Sequence, residues 1–206
     1  MSKLQVICIG EALIDKIINK SDSNFRNYLG GAPANVVCAL RKLEVPAAFI
    51  GCLGDDEYGR EFIRLFQQLN INIDFLQIAK QASTRIVKVM RDESGDRSFS
   101  GFEVTKSSSF ADEMLDKLLL NTNIKNLKKL FLNTKYIVTG TNLLAFSQSS
   151  DALYFILDFA KKFKIKIIID VNWREIFWEN SNIDKEAKLK KVKKFLHHAD
   201  ILKLAN

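Results

Sequence analysis

NYLGGAPANVVCAL, residues 27–40, sets two glycines and a proline directly ahead of an apolar run that carries one asparagine. Three readings compete for it. A Walker phosphate loop requires a Lys-Ser/Thr pair after its last glycine, and none follows Gly31. A dinucleotide loop requires GxGxxG directly after the first strand, whereas Gly10 stands alone there and Gly30-Gly31 comes some twenty residues later. The third reading is the floor of a pocket for an uncharged ligand. Paired glycines let the backbone turn sharply and come close to a ligand, and the helix start behind them offers unpaired N–H groups. Asn35 brings both a donor and an acceptor, which suits hydroxyls better than phosphate. A plain glycine-rich helix entry with Asn35 facing solvent accounts for the same letters. Local chemistry leaves both standing.

Outward from this stretch, strand and helix patterns alternate. Residues 4–9 are apolar and β-branched, fitting a buried strand, and 33–43 read as a helix with Pro33 in its first turn. Residues 47–52 are again strand-like, with Gly54 making a turn. Asp55 or Asp56 then caps a helix whose Phe62, Leu65, Phe66 and Leu69 form an apolar stripe. Further on, 110–120 reads as helix, 135–139 as strand, 149–163 as helix and 165–171 as strand. A surface helix over 183–198 has Leu189, Val192 and Leu196 on one side, and 200–204 begins one more strand. Two segments depart from the rhythm. TRIVKVMR (84–91) and DRSFSGF (96–102) mix apolar and polar residues around a turn at 92–95, a hairpin signal. In 12–18, Asp15 and Lys16 interrupt an apolar segment, as in a half-exposed strand. The pattern predicts an α/β domain over 1–206: a mostly parallel sheet flanked by helices, with a small β appendage.

With 206 residues, 47% of them hydrophobic, the chain can bury a substantial core. Its formal charge of +7 comes from lysines spread over many helices without interleaved aromatics, so a solvated surface is expected and nucleic acid is not. Cys8, Cys38 and Cys52 are isolated in apolar stretches and read as small buried hydrophobes in a reducing cytosol. His197 and His198 are adjacent, a poor arrangement for a metal. An early acidic residue argues against a signal peptide or membrane span, giving a cytoplasmic expectation.

Five motifs now stand in order: GEALID (10–15), LGGAPANVV (29–37), IGCLGDDEYG (50–59), GDRSF (95–99) and DVNWR (170–174). Together they resemble the PfkB-type, ribokinase-like carbohydrate kinases, and among these most nearly the fructokinases. The resemblance spans essentially the whole chain. It implies that Asp15 accepts hydrogen bonds from sugar hydroxyls; an exposed aspartate on an edge strand is the plainer alternative. It implies that Gly30, Gly31 and Asn35 floor the same site, while Gly51, Gly54, Asp55 and Gly59 shape the backbone. Strands within about 12–29 and 84–102 would form a lid that shuts out water, with Arg97 reaching the sugar or simply facing solvent. FEVTKSSSF, after the lid, lacks an arginine of the fructokinase pattern, so the sugar, fructose by resemblance, stays open.

DVNWR places Asp170, Asn172 and Arg174 at alternate positions, on one side of an extended strand end. The resemblance puts Asn172 and Arg174 near the phosphate of ATP, with Mg²⁺ shielding the phosphates, although Asn172 bonding its own loop is an equal alternative. Asn206 looks like the first residue of the family's N-x-x-E motif, which belongs to the metal-bound nucleotide. No Gly-Ala-Gly-Asp segment, the family's anion hole and base, occurs in the sequence. A general base is worth roughly 10²–10⁴ in rate, and an anion-hole donor about 3–4 kcal/mol more. The expectation is therefore the N-terminal portion of an ATP-dependent sugar kinase, with the C-terminal part of the fold missing and little activity alone. No catalytic or metal-ligating residue is assigned. A non-catalytic sugar-binding module or a vestigial fragment is the alternative, and a homodimer through the lid follows from the resemblance only.

Overall fold

A computed structural model of the chain describes residues 4–19, 24–92, 97–103, 109–179 and 184–204, with the backbone alone described for Asn19 and Arg97. Its centre is β1 (Val6–Ile9), buried at every position. Val6 and Cys8 pack with one apolar cluster, Ile7 and Ile9 with another. That period-two division is what a strand covered on both faces requires. The chain continues through β2 (Leu13–Asn19), β3 (Phe25–Gly30), α1 (Ala32–Lys42), β4 (Ala47–Gly54), α2 (Glu57–Gln68) and β5 (Leu76–Ala79). Then come β6 (Ile86–Arg91), β7 (Arg97–Phe102), α3 (Lys117–Thr122), α4 (Ile124–Phe131) and β8 (Tyr136–Gly140). It closes with α5 (Ser147–Lys162), β9 (Lys166–Asp170), α6 (Lys185–Leu196) and β10 (Ile201–Lys203).

The main sheet has the order β10-β9-β8-β1-β4-β5 with every pair parallel. Helices α1 and α2 cover one face: Val37, Phe62 and Phe66 join Cys8 and Phe49. Helices α5 and α6 cover the other, where Leu153, Ile156 and Phe195 meet Ile7, Ile137 and Ile167. The expected appendage is a separate four-stranded sheet, β3-β2-β6-β7, in which β2 pairs antiparallel with β3 and parallel with β6. Asp15 therefore lies on an inner strand of this lid, not an edge. The lid is anchored at its base by Asp56, which caps α2 through Gly59 N and also accepts from Thr84 N (2.6 Å) and Thr84 Oγ1 (2.9 Å). Of the two aspartates offered as caps, Asp56 takes the role.

Some expectations need correcting. Residues 110–120 are not one helix but a 3-10 turn, Ala111–Met114, followed by α3. The break has a cause: the carboxylates of Asp112 and Glu113 turn inward to Arg85, and Gln77 holds both backbone groups of Asp116. Leu189 is largely exposed, and Phe195 packs inward beside Val192 instead. The strand over 47–52 runs on to Gly54, whose N–H donates to Thr84 Oγ1. Elements α4 and β5 were not anticipated. The proposed turn of the lid hairpin lies largely in residues 93–96, outside the described residues, but β6 and β7 pair antiparallel as expected.

Candidate active site

The C-terminal ends of parallel strands are where an open α/β sheet forms its crevice, because the loops leaving neighbouring strands diverge there. In this chain those loops and the lid enclose a cavity of about 180 Å³, small against the roughly 300–1,000 Å³ usual for ligand pockets. From the lid come Leu13 and Asp15 of β2, Val87 of β6 and Phe99 of β7. The body contributes Glu11 after β1, Gly31, Ala32 and Asn35 at the start of α1, Asn142 after β8, and Asn172, Arg174 and Phe177 after β9.

The twin glycines have separate duties. Gly31 caps α1 with φ 98°, and a Cβ there would come within 2.5 Å of the Glu11 carbonyl oxygen. Only glycine takes that conformation without strain. Gly30 pairs with Leu13 across the lid, and a Cβ on it would collide with the carboxylate of Asp15. Its bareness is what lets Asp15 reach the cavity. Asn35, one turn into α1, stands on the cavity's exposed side.

The alternation inferred for DVNWR fails at its centre. β9 stops at Asp170, and Asn172 adopts φ 32°, a left-handed conformation that asparagine tolerates better than most residues. Thr141 Oγ1 donates to the Val171 carbonyl at 2.5 Å and pins the loop. Asn172 and Arg174 reach the cavity, whereas Asp170 lies outside it with Oδ2 accepting from Lys203 Nζ. The Arg174 guanidinium stacks 4.9 Å from the ring centroid of Phe99, a cation–π contact between body and lid across the mouth.

Asp15, Gly31, Asn35, Asn172 and Arg174 thus share one cavity, and Gly30 shapes it. Arg97 begins β7, but its side chain lies outside the described residues, as does all of Asn206. Glu11, Asn142 and Phe99 are among the contributors that were passed over. Glu11 stood inside GEALID without a role, Asn142 follows a strand like the other site loops, and Phe99 gave no signal beyond its place on the lid. Glu11 is completely buried, and burial is the chief reason its carboxyl is pushed up to about 7, with Asp112 nearby raising it further. Hydrogen bonds from its own backbone, Asn142 and Ala32 work the other way.

Behind the Phe177 wall lies an ion cluster. Arg85, immediately before β6, donates to both oxygens of Asp112 (2.8 Å each) and to Glu113 Oε1 (2.7 Å). Rings of Phe102, Phe110, Phe146 and Phe177 surround its guanidinium at 4.1–5.1 Å. Burial, the largest single influence, would lower the affinity of Arg85 for its proton, but the charges and hydrogen bonds of Asp112 and Glu113 together outweigh it and hold the pKa above its usual value. The cluster ties the root of the lid to the cavity wall, since Phe102 ends β7.

The model of the pfkB family of carbohydrate kinases matches residues 3–206. The chain belongs to this family. Among curated relatives, a probable fructokinase of Arabidopsis thaliana is 28% identical over 98% of this chain, and a 5-dehydro-2-deoxygluconokinase of Clostridium perfringens is 29% identical over 87%. Among solved structures, Xylella fastidiosa fructokinase with bound ATP superposes with a TM-score of 0.79 at 25% identity over 96% of the chain. This chain spans 52–60% of the length of these three relatives.

Among the described residues no group of three or more His, Cys, Asp or Glu side chains could hold a metal ion. No helix of the described residues is long and apolar enough to cross a membrane.

Proposed function

We propose that this chain forms the sugar-binding, lid-bearing part of a fructokinase-like carbohydrate kinase that transfers the γ-phosphoryl group of ATP to a sugar hydroxyl. One observation carries the reading. The carboxylate of Asp15, given room by Gly30, faces the same small cavity as Asn35, and a lid strand closes over it. A carboxylate accepting from two sugar hydroxyls, with a carboxamide able to donate and accept, suits a polyol better than any anion. Leu13, Val87 and Phe177 supply apolar walls for the sugar's C–H faces. Closing the lid excludes water, the competing acceptor of the phosphoryl group.

ATP, when bound, supplies the phosphoryl group. Asn172 and Arg174 are the residues fitted to hold it, because the guanidinium stands at the cavity mouth with an aromatic ring as its partner among the described residues. A charge placed there offsets the negative charge that gathers on the transferring oxygens. The 206 residues contain no Gly-Ala-Gly-Asp segment, and no base is assigned among them. They are expected to bind fructose and to phosphorylate it poorly by themselves. The lid's outer strand β3 carries exposed Phe25 and Tyr28, which supports a homodimer formed lid to lid.

Fructose should raise the melting temperature of the chain, and Asp15→Ala should abolish that shift. A charge-assisted hydrogen bond is worth ~1.5–3 kcal/mol, so the affinity should fall roughly 10- to 100-fold. Unchanged stabilisation would remove Asp15 from the site. Arg174 favours a second substrate class, an acidic sugar such as the one named for the Clostridium perfringens relative, whose carboxylate the guanidinium would meet. Arg174→Gln should then weaken 5-dehydro-2-deoxygluconate while sparing fructose. Equal loss for both would leave fructose as the substrate and Arg174 without a selective role.

A further inference from the structure

The cavity has a second polar wall that the reading above does not use. Glu11 follows Gly10 at the end of β1, and Asn142 lies in the 3-10 turn Asn142–Ala145 after β8, the strand beside β1. Separated by 131 residues in the chain, they meet at the cavity, where Asn142 Nδ2 donates to Glu11 Oε1 at 3.0 Å. Ala32 N, in the first turn of α1, donates to the same oxygen at 3.3 Å. Both side chains are almost wholly buried.

One atom of this arrangement is left over. Asn142 Oδ1 is shut off from solvent and has no hydrogen-bond partner among the described residues. Buried carbonyl oxygens are ordinarily paired, and an exception at a cavity wall calls for a donor from what the cavity holds. Glu11 also decides which end of the carboxamide is left over. The Ala32 N–H already makes Oε1 an acceptor, so turning the amide around would set two acceptor oxygens together; the nitrogen stays with Glu11 and the oxygen is freed for another partner.

We propose that Asn142 is a specificity-determining residue whose Oδ1, covered until the carboxamide tilts toward the cavity, accepts a hydrogen bond from one hydroxyl of the bound sugar, with Glu11 as the positioning residue that orients its carboxamide. The proposal rests on the sugar reading of this cavity and adds a rule of selection to it. A sugar with a hydroxyl at the position meeting Asn142 is accepted. Its deoxy counterpart is refused, because it leaves the buried oxygen unpaired. Asp15 binds from the lid and can move with it, whereas Asn142 and Glu11 sit on loops of the main sheet.

The test is a cycle between ligand and protein, read by titration calorimetry with D-fructose and its monodeoxy derivatives. On the wild-type chain one derivative should bind roughly 10- to 100-fold more weakly than fructose through this contact. On Asn142→Leu that derivative and fructose should bind equally, while the penalties for the other deoxy positions stay as they were. Glu11→Ala, which removes the acceptor that holds Nδ2 and so lets the amide turn, should shrink the same single penalty and no other. This second variant keeps the test open if Asn142→Leu does not fold. A folded Asn142→Leu that loses affinity evenly for fructose and every derivative, or that keeps each penalty unchanged, overturns the proposal. If wild-type chain binds neither fructose nor any derivative, the fructose reading of the cavity falls first and this proposal with it.

Discussion

Replacing Glu11 with glutamine should make the protein more stable in mild alkali and leave it nearly unchanged in mild acid. Unfolded, this carboxyl releases its proton near 4.5; folded, burial holds the proton on until about 7. Between those values the folded state keeps a proton that the unfolded state has lost, so each rise in pH favours unfolding. Below 4.5 both states are protonated and the residue costs nothing; above 7 both are ionised and the loss is complete. At 1.36 kcal/mol per pH unit the displacement amounts to ~3 kcal/mol. Glu11 is fully buried, so solvent screening does not reduce that figure much. Urea unfolding of wild type and Glu11→Gln should be run side by side from about pH 5 to about pH 8.5. Every other titrating group is common to both proteins, and the difference between the two curves isolates Glu11. The variant should gain ~2–3 kcal/mol across that range, or roughly 5–10 °C in melting temperature for a domain of this size. A difference that stays constant with pH would refute a buried carboxyl that titrates near neutrality.

The ion cluster at the root of the lid should behave as a pair and not as two residues. Asp112→Ala leaves a guanidinium that is 2% exposed with Glu113 as its remaining carboxylate and should cost ~3 kcal/mol, whereas Arg85→Met with Asp112→Leu should recover most of that in thermal melts. A double variant as unstable as the single would contradict the account. Gly31→Ala should lose ~1–3 kcal/mol in urea unfolding, because the new Cβ must displace the backbone of Glu11 or abandon φ 98°. It should also weaken the fructose-induced thermal shift, and an unaltered melt would show that the helix entry is pliable.

Much of the fold was legible because it rests on short-range rules. A β-branched run such as VICI, Pro33 in a first turn, and Phe62 with Phe66 one helical turn apart declare their elements wherever the rest of the chain goes. Where tertiary partners overrode local preference, the reading erred. Residues 110–120 carry a helical pattern, yet Arg85, 27 residues before Asp112, draws that carboxylate inward and breaks the run. DVNWR alternates on paper, but the left-handed Asn172 ends the alternation and leaves Asp170 with Lys203.

The candidate site divides along the same line. GEALID, GGAPAN and DVNWR are contiguous motifs, so the sequence by itself named Asp15, the twin glycines, Asn35, Asn172 and Arg174 and pointed to a carbohydrate kinase. That these residues face a single cavity, that Gly30 makes the space for Asp15, and that Glu11 is uncharged below about 7 depended on folding. Asn142 is the clearest case: an ordinary turn asparagine in the sequence, it becomes a buried carboxamide with one oxygen to spare only when β8 pairs with β1. Local chemistry can be read from neighbours in the chain, but burial and charge state are set by neighbours in space.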